Sequence, residues 1–223
     1  MANEIETIEF SSREQMFESC ANDLFSVISN KTNNSSTCRF LLSGGSTPEP
    51  VYRLLASKIK NQANIHWGLV DERFVDVHSE FSNEKMIRNA LGKDALLTGM
   101  VFDAENYEVN LKTVNEKYAD FIQQTDIILL GMGEDGHFAS LFPNDLNSEI
   151  LLSENHIGIF NTNAPSEPTK RITCSMNMIL NSKIILLMIT GKKKKEVLEN
   201  LHLNLPIHKL LSKRNDIHIY YAD

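Results

Sequence analysis

The chain has 223 residues, a formal net charge of −7 and 42% hydrophobic residues. A chain of this length and composition can bury a sizeable core, and we expect a single domain over residues 1–223. The acidic balance disfavours a general nucleic-acid-binding protein, which would carry a basic surface, and any anionic ligand must meet locally concentrated positive charge.

The cysteines and the apolar runs bear on the compartment. Cys20, Cys38 and Cys174 are an odd number without a CxxC pair, so we expect buried, inert thiols and neither a disulfide framework nor a zinc ribbon. The acidic start lacks the basic-then-apolar pattern of a signal peptide, and the apolar runs are too short to span a bilayer. These features predict a cytoplasmic protein without nucleic-acid or membrane partners.

Apolar strands alternate with helical patterns along the chain. A strand at 5–10 precedes a helix that begins at a Ser12–Gln15 capping box and ends in the polar stretch 30–37. The apolar stripe of this helix consists of Phe17, Cys20, Leu24, Val27 and Ile28. Further strands are predicted at 38–42, 65–70, 126–130, 156–160, 183–190 and 216–221, and further helices from Pro48, near 82–91, near 106–122 and from about 193.

This alternation predicts the fold class. Several strands are uniformly apolar, as expected where helices cover both faces of a parallel sheet. The Pro-, Asn- and Ser-rich stretch 160–170 is predicted to be a loop within the domain. We therefore predict an α/β fold, and ligands in such open sheets bind at the carboxyl ends of the strands.

The first unusual strand exit is the segment 41–50, "LLSGGSTPEP". Gly44 and Gly45 allow a tight turn, Ser46 with Glu49 fits a capping box, and Pro48 suits a first helical turn. Free amides there would suit a phosphate, although an ordinary strand-to-helix turn explains the same residues. The segment matches neither GxxxxGK[ST] nor GxGxxG, which disfavours nucleoside triphosphate and NAD binding.

The second exit, "DER" at 71–73, follows a strand without a spacer. Three charges there are compatible with a solvated turn. Alternatively, the planar fork of Arg73 suits a phosphate, and Asp71 orients a donor or holds that arginine.

The third exit is "LGMGEDGHFASLFP" at 130–143. Gly131 and Gly133 would bend the loop and present Asp135 and His137 above the sheet. Histidine suits a general base because its ordinary pKa is near neutrality, although a lone histidine is more often structural. Asp135 either orients the imidazole or stabilises the loop through an Asx turn.

The fourth exit places Lys192–Lys195 in the first turn of a helix. Cations there oppose the helix dipole, and a bound phosphate would reverse that balance. At least two of these lysines are expected to be simply solvated. Arg171, after the predicted loop, offers a second guanidinium.

Taken together, these segments resemble the 6-phosphogluconolactonases. The matching stretches are "LLSGGSTPEPVYRLLA", "VDERFV" with Ser82-Asn83, "LGMGEDGHFASLFP", "APSEPTKRIT" and "ITGKKKKEVL", in family order from about residue 38 to 198. The related glucosamine-6-phosphate deaminases share "SGGS" and "DGH" but continue with a segment like "IAFNEPG", where this chain has "FASLFP".

The resemblance implies a Rossmann-like, mostly parallel sheet and hydrolysis of 6-phospho-D-glucono-1,5-lactone in the oxidative pentose phosphate pathway. It implies His137 as the base, and the candidate catalytic residues are His137, Asp135 and Asp71. The candidate substrate-binding residues are Ser43, Gly44, Gly45, Ser46, Thr47, Arg73, Asn83, Arg171 and Lys194. The position after the matching lysine, usually small in the family, is Lys195 here, so the phosphate role is assigned to Lys194.

We expect no cofactor and no metal, because the histidines are scattered without ligand-like spacing. The expected partner is a small sugar-phosphate lactone, and the expected state is a monomer. Two alternatives remain: an isomerase-deaminase acting on glucosamine 6-phosphate, and a non-catalytic sugar-phosphate sensor.

Overall fold

The computed structural model describes residues 7–33, 36–153 and 155–223, and the strands of this part form two sheets. The strands are β1 Thr7–Phe10, β2 Cys38–Leu42, β3 Ile65–Leu69, β4 Asp71–Arg73, β5 Leu96–Thr98, β6 Ile127–Gly131, β7 Ile159–Asn163, β8 Lys170–Cys174, β9 Ile184–Thr190 and β10 His218–Ala222. The helices are α1 Arg13–Thr32, α2 Glu49–Lys58, α3 Asn83–Leu91, α4 Tyr107–Lys117, α5 Ala119–Gln123, α6 Leu146–Ser153, α7 Met176–Leu180, α8 Lys192–Glu199 and α9 Pro206–Lys213, with a short 3-10 helix at Leu201–Leu203.

The larger sheet is parallel and has seven strands in the order β1-β10-β9-β6-β2-β3-β5. Its central strands are mostly buried and largely apolar. The helix α2 packs on α1 and α3, and α7 packs on α6 and α9. The predicted α/β fold with a helix-flanked parallel sheet is confirmed. From β2 the chain builds the sheet in one direction and from β6 in the other, so the order reverses between these two strands. Open α/β sheets bind ligands at such a switch point.

The smaller sheet is antiparallel, in the order β4-β8-β7. Only one residue, Val70, separates β4 from the end of β3, so this sheet continues from the carboxyl edge of the larger one. The predicted loop at 160–170 is wrong at both ends, because Phe160–Asn163 lies in β7 and Lys170 begins β8. The segment between them retains the predicted irregular backbone.

The first helix largely follows its predicted pattern. Ser12 caps α1 by accepting a hydrogen bond from the Gln15 amide (3.2 Å), as predicted, but the Gln15 side chain accepts from the Ser11 hydroxyl (2.6 Å) and does not complete the capping box. The buried stripe includes the predicted Cys20, Leu24 and Ile28, but Phe17 and Val27 are only half-buried. The predicted first strand begins at residue 5, and residues 5 and 6 lie outside the described residues.

Two other helix predictions need correction. Ser46 does not cap α2: the helix begins at Glu49 after Pro48, without a side-chain cap, and Glu49 instead pairs with Arg53. The helix predicted near 106–122 is two helices, since Tyr118 leaves helical geometry between them. The buried Tyr118 hydroxyl accepts a hydrogen bond from the Leu69 amide and donates one to the Thr98 carbonyl. These bonds connect the break between α4 and α5 to the sheet.

The structure also contains elements that the pattern missed, namely β4, β5, β8, α6, α7 and α9. All three cysteines are buried and free, as predicted. Within residues 7–33, 36–153 and 155–223, no helix is both long and apolar enough to cross a membrane.

Candidate active site

A pocket of about 260 Å³ opens at the switch point between β2 and β6. It is lined by every predicted site residue except Asp135, which bonds to His137 behind the lining. The lining residues that the sequence did not single out for the site are Pro48, Met132, Ala139 and Met188. Four separate strand exits therefore converge, as the shared carboxyl edge of parallel strands requires.

The turn after β2 forms the floor of the pocket. Gly45 has a positive φ of 103°, and a Cβ on Gly44 would lie 1.9 Å from the Asn83 side-chain oxygen, so both glycines are needed as predicted. Among the described residues, the amides of 44–47 donate to no protein acceptor. Because these residues line the pocket, their free amides are suited to an anion.

Ser43 lies at the base of this turn. Its carbonyl accepts a hydrogen bond from the buried Tyr52 hydroxyl (2.7 Å), which fixes the backbone. Its own hydroxyl is buried in the pocket wall and has no hydrogen-bond partner among the described residues. A buried hydroxyl without a partner costs free energy unless a ligand or water satisfies it, which points to an occupant.

His137 and Asp135 form a pair in the loop after β6. The imidazole Nδ1 lies 2.5 Å from Asp135 Oδ1, and the His137 amide donates to the same oxygen (3.2 Å). Burial alone would raise the pKa of Asp135, but hydrogen bonds and charge from His137 hold it below its ordinary value. An ionised carboxylate at Nδ1 places the proton there and leaves Nε2 as an acceptor.

The glycines of this loop act differently from the prediction. Gly131 does not adopt a positive φ; the sharp bend is at Gly136, with φ of 75°. Gly133 matters for space, because a Cβ there would lie 2.2 Å from the imidazole Cε1 of His137. Any larger residue at 133 would therefore displace the imidazole.

Asp71 is held by a residue that the sequence gave no reason to select. The buried Ser140 hydroxyl donates to Asp71 Oδ2 at 2.6 Å, which leaves Oδ1 of that carboxylate for the pocket. The preceding Ala139 has a φ of 47°, an uncommon left-handed conformation for a non-glycine residue, in the pocket wall. This bend brings the Ser140 hydroxyl to Asp71.

Arg73 and Arg171 stand opposite each other on β4 and β8. Like charges on directly paired residues are destabilising, and neither arginine forms an ion pair with a carboxylate among the described residues. Arg73 Nη1 donates to Phe81 O (2.9 Å) and Asn83 Oδ1 (2.6 Å), and Arg171 Nε donates to Pro168 O (2.8 Å). Burial lowers the pKa of Arg171. Two guanidinium groups without an ion pair in one wall favour an anionic ligand.

The side-chain amide of Asn83 connects the start of α3 to β4. Its side-chain oxygen accepts from Arg73, and its side-chain nitrogen donates to the Asp71 carbonyl (3.1 Å). Because both amide ends have protein partners, Asn83 acts mainly by holding Arg73 and Asp71 in place.

Glu72 faces away from the pocket and caps α3. Its buried carboxylate accepts hydrogen bonds from the amides of Arg73, Asn83 and Glu84 and from the Ser82 hydroxyl, at 2.7 to 3.1 Å. Burial raises the pKa of Glu72 to about 7, against the opposing effect of these donors. The sequence placed Glu72 in the charged exit but gave it no role; its position next to Arg73 and its contact with Asn83 make it a support for both.

The four lysines of the run differ in their surroundings. Lys192, Lys193 and Lys195 pair with Asp223, Glu134 and Glu9 at the surface. Lys194 lines the pocket, burial lowers its pKa, and it forms no ion pair within the part of the chain that the structure describes. Of the four, Lys194 is the one placed to meet an anion.

Within the described residues, no group of three or more His, Cys, Asp or Glu side chains could hold a metal ion. The expectation of a metal-free and cofactor-free site stays a prediction.

The sequence of the chain is similar to those of known proteins. The family model described as glucosamine-6-phosphate isomerases/6-phosphogluconolactonase matches residues 11–219. A probable 6-phosphogluconolactonase of Dictyostelium discoideum is 31% identical, with 95% of each chain covered. A 6-phosphogluconolactonase of Caulobacter vibrioides is 27% identical, with 96% of each covered.

The fold of the chain is also similar to those of solved structures. A 6-phosphogluconolactonase from Shewanella baltica superposes with a TM-score of 0.92 at 27% identity, with 100% of both chains covered. A monomeric glucosamine-6-phosphate deaminase has a TM-score of 0.77 at 22% identity over 97% of this chain and 96% of its own, a likeness that concerns the fold.

Proposed function

Because the chain belongs to the glucosamine-6-phosphate isomerase/6-phosphogluconolactonase family, we propose that it hydrolyses 6-phospho-D-glucono-1,5-lactone to 6-phosphogluconate. The full-length relatives that are named lactonases support this choice. The observation that carries it at the site is the presence in one pocket of an oriented histidine and three cations that form no ion pair with a carboxylate among the described residues.

The phosphate end of the substrate is assigned to the free amides at 44–47 and to Arg73, Arg171 and Lys194. These groups supply planar and point charges in a partly desolvated wall, where charge-assisted hydrogen bonds are strong. Binding energy from this remote group would orient the reacting carbonyl.

The chemical step is assigned to His137. Nε2 takes a proton from a water, and the oxygen of that water bonds to the lactone carbonyl carbon. The tetrahedral intermediate then collapses, the bond from that carbon to the ring oxygen breaks, and the ring oxygen receives the proton from the imidazolium. Asp135 stabilises the imidazolium through Nδ1, and such a positioned base typically contributes about 10²- to 10⁴-fold.

Asp71 is assigned a supporting role. Its free oxygen faces the pocket near Arg171, where its charge would orient that guanidinium or a substrate hydroxyl. We further propose that the protein works as a cytoplasmic monomer, without metal or cofactor, in the oxidative pentose phosphate pathway.

The test is the rate of lactone hydrolysis by the purified protein, corrected for spontaneous hydrolysis, with 6-phosphoglucono-1,5-lactone and with glucono-1,5-lactone. We expect a kcat/KM that strongly favours the phosphorylated lactone, because the cations are met only by the phosphate. Ammonia release from glucosamine 6-phosphate would favour the deaminase alternative, against which the "FASLFP" segment stands. Binding of 6-phosphogluconate without turnover would favour a sensor.

A further inference from the structure

His208, in the first turn of α9, is buried at 6% exposure and uses both ring nitrogens. The Leu205 amide donates to Nδ1 (3.0 Å), and Nε2 lies 2.8 Å from the Val197 carbonyl. Because an amide can only donate, Nδ1 must accept, and Nε2 must carry the proton and donate to the carbonyl. The imidazole is therefore a neutral bridge with one defined tautomer.

One end of this bridge is the lysine helix. Val197 lies in α8, three residues after Lys194, so the hydrogen bond from His208 holds the same helical turn that presents the Lys194 ammonium to the pocket.

The other end is the catalytic loop. Leu205 packs directly on Gly136, where an added Cβ would come within 2.7 Å of the Leu205 Cβ, and the Ile207 amide donates to the Gly136 carbonyl at 3.0 Å. Gly136 lies between Asp135 and His137. The start of α9 is thus the platform under the catalytic pair, and His208 joins that platform to α8.

A second link joins the same two elements, but it is weaker. Lys193 Nζ lies 2.5 Å from Glu134 Oε2, with side chains 69% and 57% exposed. Exposed ion pairs contribute little and are screened by salt, whereas the imidazole bridge is buried.

We propose that His208 is a positioning residue that sets the separation of Lys194, which holds the phosphate, from His137, the base. The proposal rests on the proposed function and adds to it a residue that touches no substrate. Misplacement of a reacting group by about 1 Å can cost on the order of 10²-fold in rate, so a lost bridge should be measurable.

The experiment compares three variants of the full chain. His208→Gln keeps an acceptor and a donor at the end of a long side chain, and we expect it to stay within about threefold of the parent in kcat/KM. His208→Asn keeps a polar group near Leu205 but is too short to reach Val197, and with His208→Ala it should lose about tenfold, mainly through a higher KM. His202→Ala, an exposed histidine just before α9, is the matched control and should leave kcat and KM unchanged.

A double-mutant cycle with Lys194→Ala separates positioning from general destabilisation. If His208 acts through Lys194, His208→Asn should raise KM by less than about twofold in the Lys194→Ala background. The same cycle is measured on the dissociation constant of inorganic phosphate, so it remains decisive if the lactonase assay fails. A parent protein without turnover would overturn the proposed function alone. If His208→Asn raised KM by the same factor in both backgrounds, or if His208→Asn kept the kcat/KM of the parent, the positioning role would be overturned.

Discussion

Charged side chains cluster at both ends of β6, and the two clusters differ in whether their charges are paired within the protein. Before the strand, the buried Asp126 carboxylate accepts hydrogen bonds from Lys31 (2.6 Å), Lys183 (3.0 Å) and the Arg39 amide (3.0 Å). After the strand, the pocket gathers cations that have no carboxylate partner among the described residues. The first cluster pairs its carboxylate with cations of the protein, whereas the second leaves its cations to a ligand.

The pKa shifts follow this difference. Burial would raise the pKa of Asp126, but the hydrogen bonds from its lysines hold it below its ordinary value. At the pocket, burial lowers the pKa of Arg171 and Lys194, because the loss of hydration outweighs the opposing charges of nearby carboxylates such as Asp71 and Glu134. Substitutions at the pocket should therefore change activity, and those at Asp126 should change stability.

The largest expected effect is that of His137→Ala. Removal of the base should lower kcat by about 10²- to 10⁴-fold and change KM little, since the phosphate contacts remain. Steady-state rates corrected for spontaneous hydrolysis measure this, with the exposed His218→Ala as control. A corrected kcat equal to that of the parent would eliminate His137 as the base.

Glu72 should impose a pH dependence on stability. Its pKa in the folded protein, about 7, lies above its ordinary value of 4.5, so the folded state binds the proton more tightly. The stabilisation is complete below pH 4.5 and is lost as the pH rises through 7, which amounts to about 3 kcal/mol. Urea unfolding of the parent at pH 5 and pH 8 should show this loss, and Glu72→Gln should not; parallel pH profiles would contradict the assignment.

Lys194→Ala tests the phosphate contact. Loss of a charge-assisted hydrogen bond should raise KM by about 10- to 100-fold, with a smaller change in kcat. Lys193→Ala is the matched control in the same helical turn, because its ammonium faces Glu134 at the surface. If the two variants raise KM equally, Lys194 has no special contact with the phosphate.

Asp126→Asn tests the opposite end of β6. It should lower the free energy of unfolding by about 1–2 kcal/mol, because the lysines lose a charged acceptor but are exposed enough to be rehydrated. The kinetic constants should be unchanged. A KM change comparable to that of Lys194→Ala would show that the two ends are not separate.

Glu134→Gln should have the smallest effect. An exposed ion pair contributes about 0.2–1 kcal/mol, so KM should change by less than about fivefold, and the difference should vanish at 1 M salt. A salt-independent, tenfold change in KM would mean that this pair, and not the buried bridge of His208, holds the lysine helix.

The residues that line the pocket were easier to predict from the sequence than the small sheet and the residues that support the pocket. Parallel strands end at one edge, so residues that follow different strands, such as Gly44 and His137, could be brought together from pattern alone. The small sheet could not, because β7 and β8 mix polar and apolar residues and the helical alternation stops there. Ser140 and His208 were missed because a single serine or histidine carries no periodic signal and acquires its role only from tertiary contacts.

A crystal structure with 6-phosphogluconate bound tests the central claim most directly. The account predicts the phosphate against Arg73, Arg171 and Lys194 over the turn at 43–47, with the C1 carboxylate within hydrogen-bond distance of His137 Nε2. A product bound in the reverse orientation, or outside this pocket, would contradict it.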